Sequence, residues 1–254
     1  MDGFCLDGTG KEIKGRGPVS PAVMGSIKEN FERLQGRILS AAQRSSRMAA
    51  DISLVAVTKN VPVQAILEAQ TCGVGLFAEN RVQDAAEKIP LVPGVQWHMV
   101  GHLQTNKIRA ALDIFHCIQS VDSVRLAKEI HEALLLENRV LPVLLEVQLS
   151  PEPQKFGFKP EEIYAAVDAI RPFTTLDVQG VMGLAPNTPD AQARRDAFKK
   201  LKGVFTVLKS MKSERFQMKT LSMGMSDDFE IAIEEGSNMI RIGRALFARK
   251  NQRC

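Results

Sequence analysis

The feature that most limits what this chain can become is a repeated alternation. Short apolar runs fall at 52–58, 74–79, 95–100, 114–120, 140–148, 176–183, 217–222 and 238–243. Segments of helical periodicity lie between them at 62–72, 80–88, 103–112, 123–137, 160–171, 189–212 and 227–235. Apolar, β-branched runs of this length read as strands buried on both faces, the habit of parallel sheets. About eight such βα units are the count of a (β/α)8 barrel. A doubly wound open sheet alternates in the same way, and periodicity alone does not separate the two. The clearest strands are 140–147 and 238–243; Pro142 marks the former as irregular. Ahead of the alternation, Ile27, Phe31, Leu34, Ile38 and Ala41 recur at three and four, so a helix is expected over 20–48, with Pro21 after Ser20 as its start. Asp122 is the expected cap of the helix at 123–137. No composition break follows residue 20. The simplest division is an extension over 1–20 and one barrel domain, with its N-terminal helix, over 21–254.

Composition narrows the partners. The chain has 254 residues, 44% hydrophobic, with a net charge of +4. It carries no dense Lys/Arg run with interleaved aromatics, so nucleic acid is not the expected partner. No apolar stretch is long enough to span a bilayer, and the glycine-rich start lacks the apolar core of a signal peptide. The four cysteines, Cys5, Cys72, Cys117 and Cys254, form no C-x-x-C pair. They fit reduced thiols of the cytoplasm and leave a metal site without its ligand spacing. Gly8-Thr-Gly-Lys-Glu12 lacks both the hydroxyl after the lysine and the preceding strand of a phosphate loop.

In a barrel, the C-terminal ends of all strands face one site. Strand one ends in Val55-Ala-Val-Thr-Lys59, placing a lysine where a desolvated amine can act as a nucleophile. Loops after strands seven and eight form the usual phosphate site of this fold, and here they carry Ser222, Gly224, Ser226 and Gly243. Ser226-Asp227 reads equally well as the cap of the next helix. Arg241 lies inside strand eight on the face of Gly243 and needs a partner or a ligand. Lysine, arginine and a phosphate cradle suit a phosphorylated carbonyl compound. Pyridoxal 5′-phosphate (PLP) fits, with its aldehyde on Lys59, its phosphate at the last two loops and its ring nitrogen at Arg241. Glu79 and Arg81 read as a surface ion pair at the barrel top, and the helix at 189–212 as a solvated outer face.

Several motifs, in order, then carry a family resemblance. They are Val55-Ala-Val-Thr-Lys59, Phe77-Ala-Glu-Asn-Arg81, Trp97-His-Met-Val-Gly-His-Leu-Gln-Thr-Asn-Lys107, Ser120-Val-Asp122, Leu221-Ser-Met-Gly-Met-Ser-Asp227 and Arg241-Ile-Gly243. Over about residues 25–249 the chain resembles the pyridoxal phosphate homeostasis proteins, whose fold is similar to the barrel domain of alanine racemases. The resemblance implies a Schiff base at Lys59, Arg241 facing the pyridine nitrogen, phosphate contacts at Ser222, Met223, Gly243 and Arg244, and Asn80 near the ring. Two positions depart from the family's habit: Ala78 stands where glycine is common, and Arg244 where serine or threonine is.

The resemblance implies a PLP carrier that delivers the cofactor to apo-enzymes and has no defined turnover; a monomer is expected for want of the racemases' pairing domain. The alternative is a PLP-dependent amino acid racemase, which needs an acid and a base on opposite faces of the substrate carbon. Lys59 can serve one face. Tyr164 reads as a packed helix residue, which leaves His98 and His102 as candidates for the other. A phosphosugar enzyme using Lys59 is a third reading.

Overall fold

The computed structural model describes residues 26–150, 156–211 and 214–248. The expected extension over 1–20, and Ser20-Pro21 as a helix start, lie outside these residues. Eight strands are seen: β1 (Ser53–Val57), β2 (Leu76–Glu79), β3 (Gln96–Met99), β4 (Cys117–Val121), β5 (Leu141–Val147), β6 (Leu176–Gly183), β7 (Phe216–Ser222) and β8 (Met239–Ile242). They close into one barrel in sequence order. Every pairing is parallel, and β1 returns to β8 through Ser53↔Met239 to Ala56↔Ile242. The open sheet is thereby excluded.

The helices are α1 (Ile27–Arg44), α2 (Val63–Thr71), α3 (Val82–Lys88), α4 (Ile108–Ile114), α5 (Val124–Leu136), α6 (Ile163–Ile170), α7 (Ala191–Ser210), α8 (Phe229–Glu234) and α9 (Arg244–Phe247). A capping box opens α1: the Ser26 hydroxyl accepts from the Glu29 N–H, and the Glu29 carboxylate accepts from the Ser26 N–H. Ser123, not Asp122, caps α5, its hydroxyl accepting from the Leu126 N–H. The helix expected from 103 starts at Ile108, behind a 3-10 turn at Thr105–Lys107. α7 is amphipathic: its outer face, with Lys199, Lys200 and Lys209, is exposed, and its inner face buries Phe198, Leu201, Phe205 and Leu208. The register of β5 against β6 shifts between Val143 and Leu144, just past Pro142.

Strand alternation divides the core in two. Outward residues such as Phe77, Trp97, Met99, Leu145, Val147, Ile240 and Ile242 pack under the helices in the main cluster. The barrel interior holds a small apolar plug, Cys117, Leu144 and Met182, with Leu184 beside it. Above that plug the buried residues turn polar: His98, Gln119, Glu146, Ser222 and Arg241. Polar groups inside a sealed barrel must bond one another or a guest.

Candidate functional site

A cavity of about 660 Å³ opens at the C-terminal ends of β1 and β8. Val57, Lys59, Asn60 and Val61 line it after β1, Met225, Ser226 and Asp227 after β7, and Arg241, Gly243, Arg244, Phe247 and Ala248 from β8 onward; Val100 and Leu184 complete the lining. Lys59 stands two residues beyond β1, in a turn closed by the Val61 N–H on the Thr58 carbonyl at 2.9 Å. Asn60 completes the turn in the left-handed region, φ 58°. Lys59 is exposed, not desolvated by burial.

Arg241 points inward from β8 and is 4% exposed. Its Nη1 donates to Ser222 Oγ at 2.7 Å and its Nη2 to the Gly183 carbonyl at 2.9 Å. The Ser222 hydroxyl in turn donates to Gln119 Oε1 at 2.7 Å, and Gln119 Nε2 meets His98 Nδ1 at 2.9 Å. As the acceptor in that contact, His98 is neutral; burial, with His116 nearby, holds it down at about 4. Burial lowers Arg241 to about 10 against the pull of Glu146 and Asp228, so it stays cationic at neutral pH. Glu146, inward on β5, is pushed up to about 7 by burial and by Asp122, with Arg241 opposing.

The seven residues singled out in the sequence do not share one wall. Lys59, Arg241, Gly243 and Arg244 line the same cavity. Asn80 lines a neighbouring cavity of about 530 Å³ with Arg81, His102 and Lys107. The Asn80 Oδ1 is buried without a hydrogen-bond partner. Ser222 and Met223 are fully buried and line neither cavity. Ser222 faces the barrel interior, where its hydroxyl is committed to Arg241 and Gln119, while the Met223 side chain joins the outer core. Ser226 does not cap α8. Its hydroxyl accepts from the Ala245 N–H in α9, while Asp228 accepts from the Met225 N–H. Gly243 is the N-cap of α9, and a Cβ there would sit 3.4 Å from the Val57 carbonyl. Arg244 pairs with Asp227 at the rim.

Other expectations are corrected. Glu79 makes no surface pair with Arg81; it is fully buried and bonds Lys88 Nζ at 2.6 Å. His102, a candidate second base, pairs with Asp122 at 2.8 Å and stacks on Phe156. Neither His98 nor His102 lines the Lys59 cavity, and Tyr164 packs against the core, as expected. Sequence reasoning missed Gln119 as a site-supporting residue. A lone amide inside an apolar strand was the available signal.

The cavity's chemistry fits a small phosphorylated ring aldehyde. It offers an amine, a buried guanidinium anchored from behind, and the turn at Gly243, where the Ser226 hydroxyl accepts from the Ala245 N–H. Comparison places the chain in a class first. The sequence profile of the family described as alanine racemase, N-terminal domain, matches residues 26–250. The likeness to alanine racemase of Clostridium difficile (TM-score 0.69, 13% identity, 89% of this chain and 57% of that one) is one of fold alone. Curated relatives then narrow it. Proteins named pyridoxal phosphate homeostasis protein match from Vibrio cholerae (34% over 235 residues, 90% of this chain and 98% of that one) and Pseudomonas aeruginosa (35% over 234 residues, 90% and 97%). The chain belongs to the pyridoxal phosphate homeostasis protein family, within the alanine racemase N-terminal-domain class. PipY of Synechococcus elongatus, solved with PLP bound, aligns at 31% identity with a TM-score of 0.76, over 87% of this chain and 100% of that one.

Proposed function

We propose that this protein binds PLP and serves its homeostasis, holding it by a Schiff base on Lys59 and releasing it to apo-enzymes. The observation that carries the reading is the convergence of Lys59, Arg241 and Gly243 on one cavity from the two strands that close the barrel. The PLP-bound state of PipY, a relative of the same fold, supports it. When bound, the cofactor supplies an aldehyde for the amine and a ring that can take up electrons.

The chain's own residues favour holding over turnover. Lys59 provides the amine, and Arg241 offers a hydrogen-bond donor to the ring nitrogen. A fixed cation there keeps that nitrogen unprotonated and the ring a weak electron sink. Gly243, Arg244 and Ser226 surround the start of α9, where the phosphate would sit. Among the described residues lining this cavity, the ionisable ones are Lys59, Asp227, Arg241 and Arg244. Asp227 is already paired with Arg244. A racemase needs a second proton-transferring group across from the lysine, and the histidines lie elsewhere. Ser222 acts from behind, by orienting Arg241. The carrier is proposed to work as a monomer in the cytoplasm.

The test is the absorbance spectrum with PLP before and after borohydride, beside Lys59→Ala. A band near ~420 nm, trapped on a Lys59 peptide and lost in the variant, is the expected result. No band in the wild type sinks the reading. Loss of α-deuterium from an amino acid panel would convert the carrier into an enzyme.

A further inference from the structure

Glu79 lies in the motif Phe77-Ala-Glu-Asn-Arg81, from which the site uses only Asn80. Glu79 and Thr58 are both fully buried, and the Lys88 side chain is 14% exposed. One carboxylate oxygen, Glu79 Oε1, accepts from Lys88 Nζ at 2.6 Å and from Thr58 Oγ1 at 2.8 Å. The other, Oε2, accepts from the Asn80 N–H at 3.0 Å. Lys88 Nζ also donates to the Thr58 carbonyl at 2.9 Å, the same carbonyl that closes the Lys59 turn through the Val61 N–H. Thr58 is further tied to the Ala78 carbonyl through both its N–H, at 2.9 Å, and its hydroxyl, at 3.1 Å.

We propose that Glu79 and Lys88 form a positioning clamp for Lys59 and Asn80, fixing on two adjacent strands the backbone from which both side chains project. The proposal rests on the reading of Lys59 as the PLP anchor. A buried ion pair is seldom a net source of stability, because desolvating two charges costs about as much as their attraction returns. Here each partner also bonds the backbone next to a site residue, Lys88 through the Thr58 carbonyl and Glu79 through the Asn80 N–H. That is what geometric control of an exposed amine requires: Lys59 has a long, free side chain, so its reach is set by where its Cα is held. The clamp also commits Lys88. Its ammonium donates to Glu79 and Thr58, so it does not compete with Lys59 as an amine.

The test separates positioning from bulk stability. Glu79→Leu and Lys88→Met are made singly and together, with Thr58→Val as a milder variant that removes the hydroxyl's contacts with Glu79 and the Ala78 carbonyl and leaves the ion pair. Each charge-removing single variant lowers Tm, because it strands a buried charge. The double variant recovers most of that loss. Despite this recovery it binds PLP about tenfold more weakly or worse, read from the absorbance band, because small misplacements of a reacting group are costly. A second readout needs no cofactor. Hydrogen exchange at the Val61 and Asn80 amides of the PLP-free protein speeds up in the double variant, and at Val61 in Thr58→Val, while β5 amides keep their wild-type rates. Wild-type exchange and wild-type PLP affinity in a double variant of recovered Tm, or in Thr58→Val should the double variant not recover, would overturn the clamp. A wild type that forms no PLP band defeats the anchor reading instead, and leaves the exchange arm to decide whether the clamp holds the turn.

Discussion

Inside the barrel mouth, burial shifts single residues in opposite directions, Glu146 up and His98 down. The ordinary Glu146 value of 4.5 rises to about 7, with burial the main cause. Between those values the unfolded chain has lost the proton that the folded chain keeps, so stability falls as pH rises and is lowest, for this group, above about 7. His98 works from the other side. Its value drops from 6.5 to about 4 by burial, so stability falls as pH drops through that window. Glu146→Gln mimics the protonated acid. It is expected to stabilise the protein by about 1–3 kcal/mol at pH 8, with the gain fading toward pH 4.5. Urea melts at both pH values check this; an equal gain at both would assign the effect to packing. At this scale the sequence was informative about charge carriers and poor about their commitments. Lys59 and Arg241 stood out because a charged residue at the end of or inside an apolar run needs a reason. That Ser222 would turn inward to hold Arg241, leaving the loop face, depends on strand register. One residue decides which face a side chain takes.

Among the elements, strands were legible and loop-to-helix junctions were not. The eight apolar runs correspond to β1–β8 because a strand buried on both faces leaves a continuous apolar trace. Two junctions departed from expectation: after β3 a 3-10 turn at Thr105–Lys107 puts the start of α4 at Ile108, and after β4 Asp122 pairs with His102 while Ser123 accepts the Leu126 N–H. Contact between the loops after β2 and β3 is close enough to test. A Cβ at Gly101 would lie 2.2 Å from the Asn80 carbonyl oxygen and 2.8 Å from its Cα, both backbone atoms. Gly101→Ala should therefore cost about 1–3 kcal/mol, as overpacking does, and push Asn80 from its place on the cavity wall. Gly36, within α1, has nothing within 4 Å of such a Cβ. Gly36→Ala should gain about 0.5–1 kcal/mol from helix propensity. Chemical denaturation of the pair supplies the comparison, and a neutral Gly101→Ala would mean that the two loops separate freely.

For the whole molecule, the question is what keeps the barrel's seam closed, since the site is built on the two strands that meet there. α1 packs on α2, which follows β1, and on α8 and α9, which flank β8, and buries Ile27, Leu34, Ile38, Ala41 and Ala42. Its ion pairs reach α8: Arg37 to Glu230 at 2.8 Å and Arg44 to Glu234 at 2.7 Å, with Arg195 of α7 joining Glu234 at 2.7 Å. These pairs are partly exposed, and each contributes roughly 0–1 kcal/mol. Asn30 is different. It is 2% exposed, and its Nδ2 donates to the carbonyls of Leu246, at 2.9 Å, and Ala248, at 3.0 Å, at the end of α9. The chain that follows Gly243 along the cavity is thus pinned from outside by one amide of the N-terminal helix. Asn30→Ala strands buried carbonyls and should cost about 1–3 kcal/mol. It should also raise hydrogen exchange in α9 while leaving β5 unchanged. Arg44→Ala, on the same helix, should cost under about 1 kcal/mol and leave α9 alone. If both substitutions prove equally mild and α9 stays protected in each, then α1 closes the seam through its apolar face alone, and the hold on the cavity wall lies within the β8–α9 segment itself.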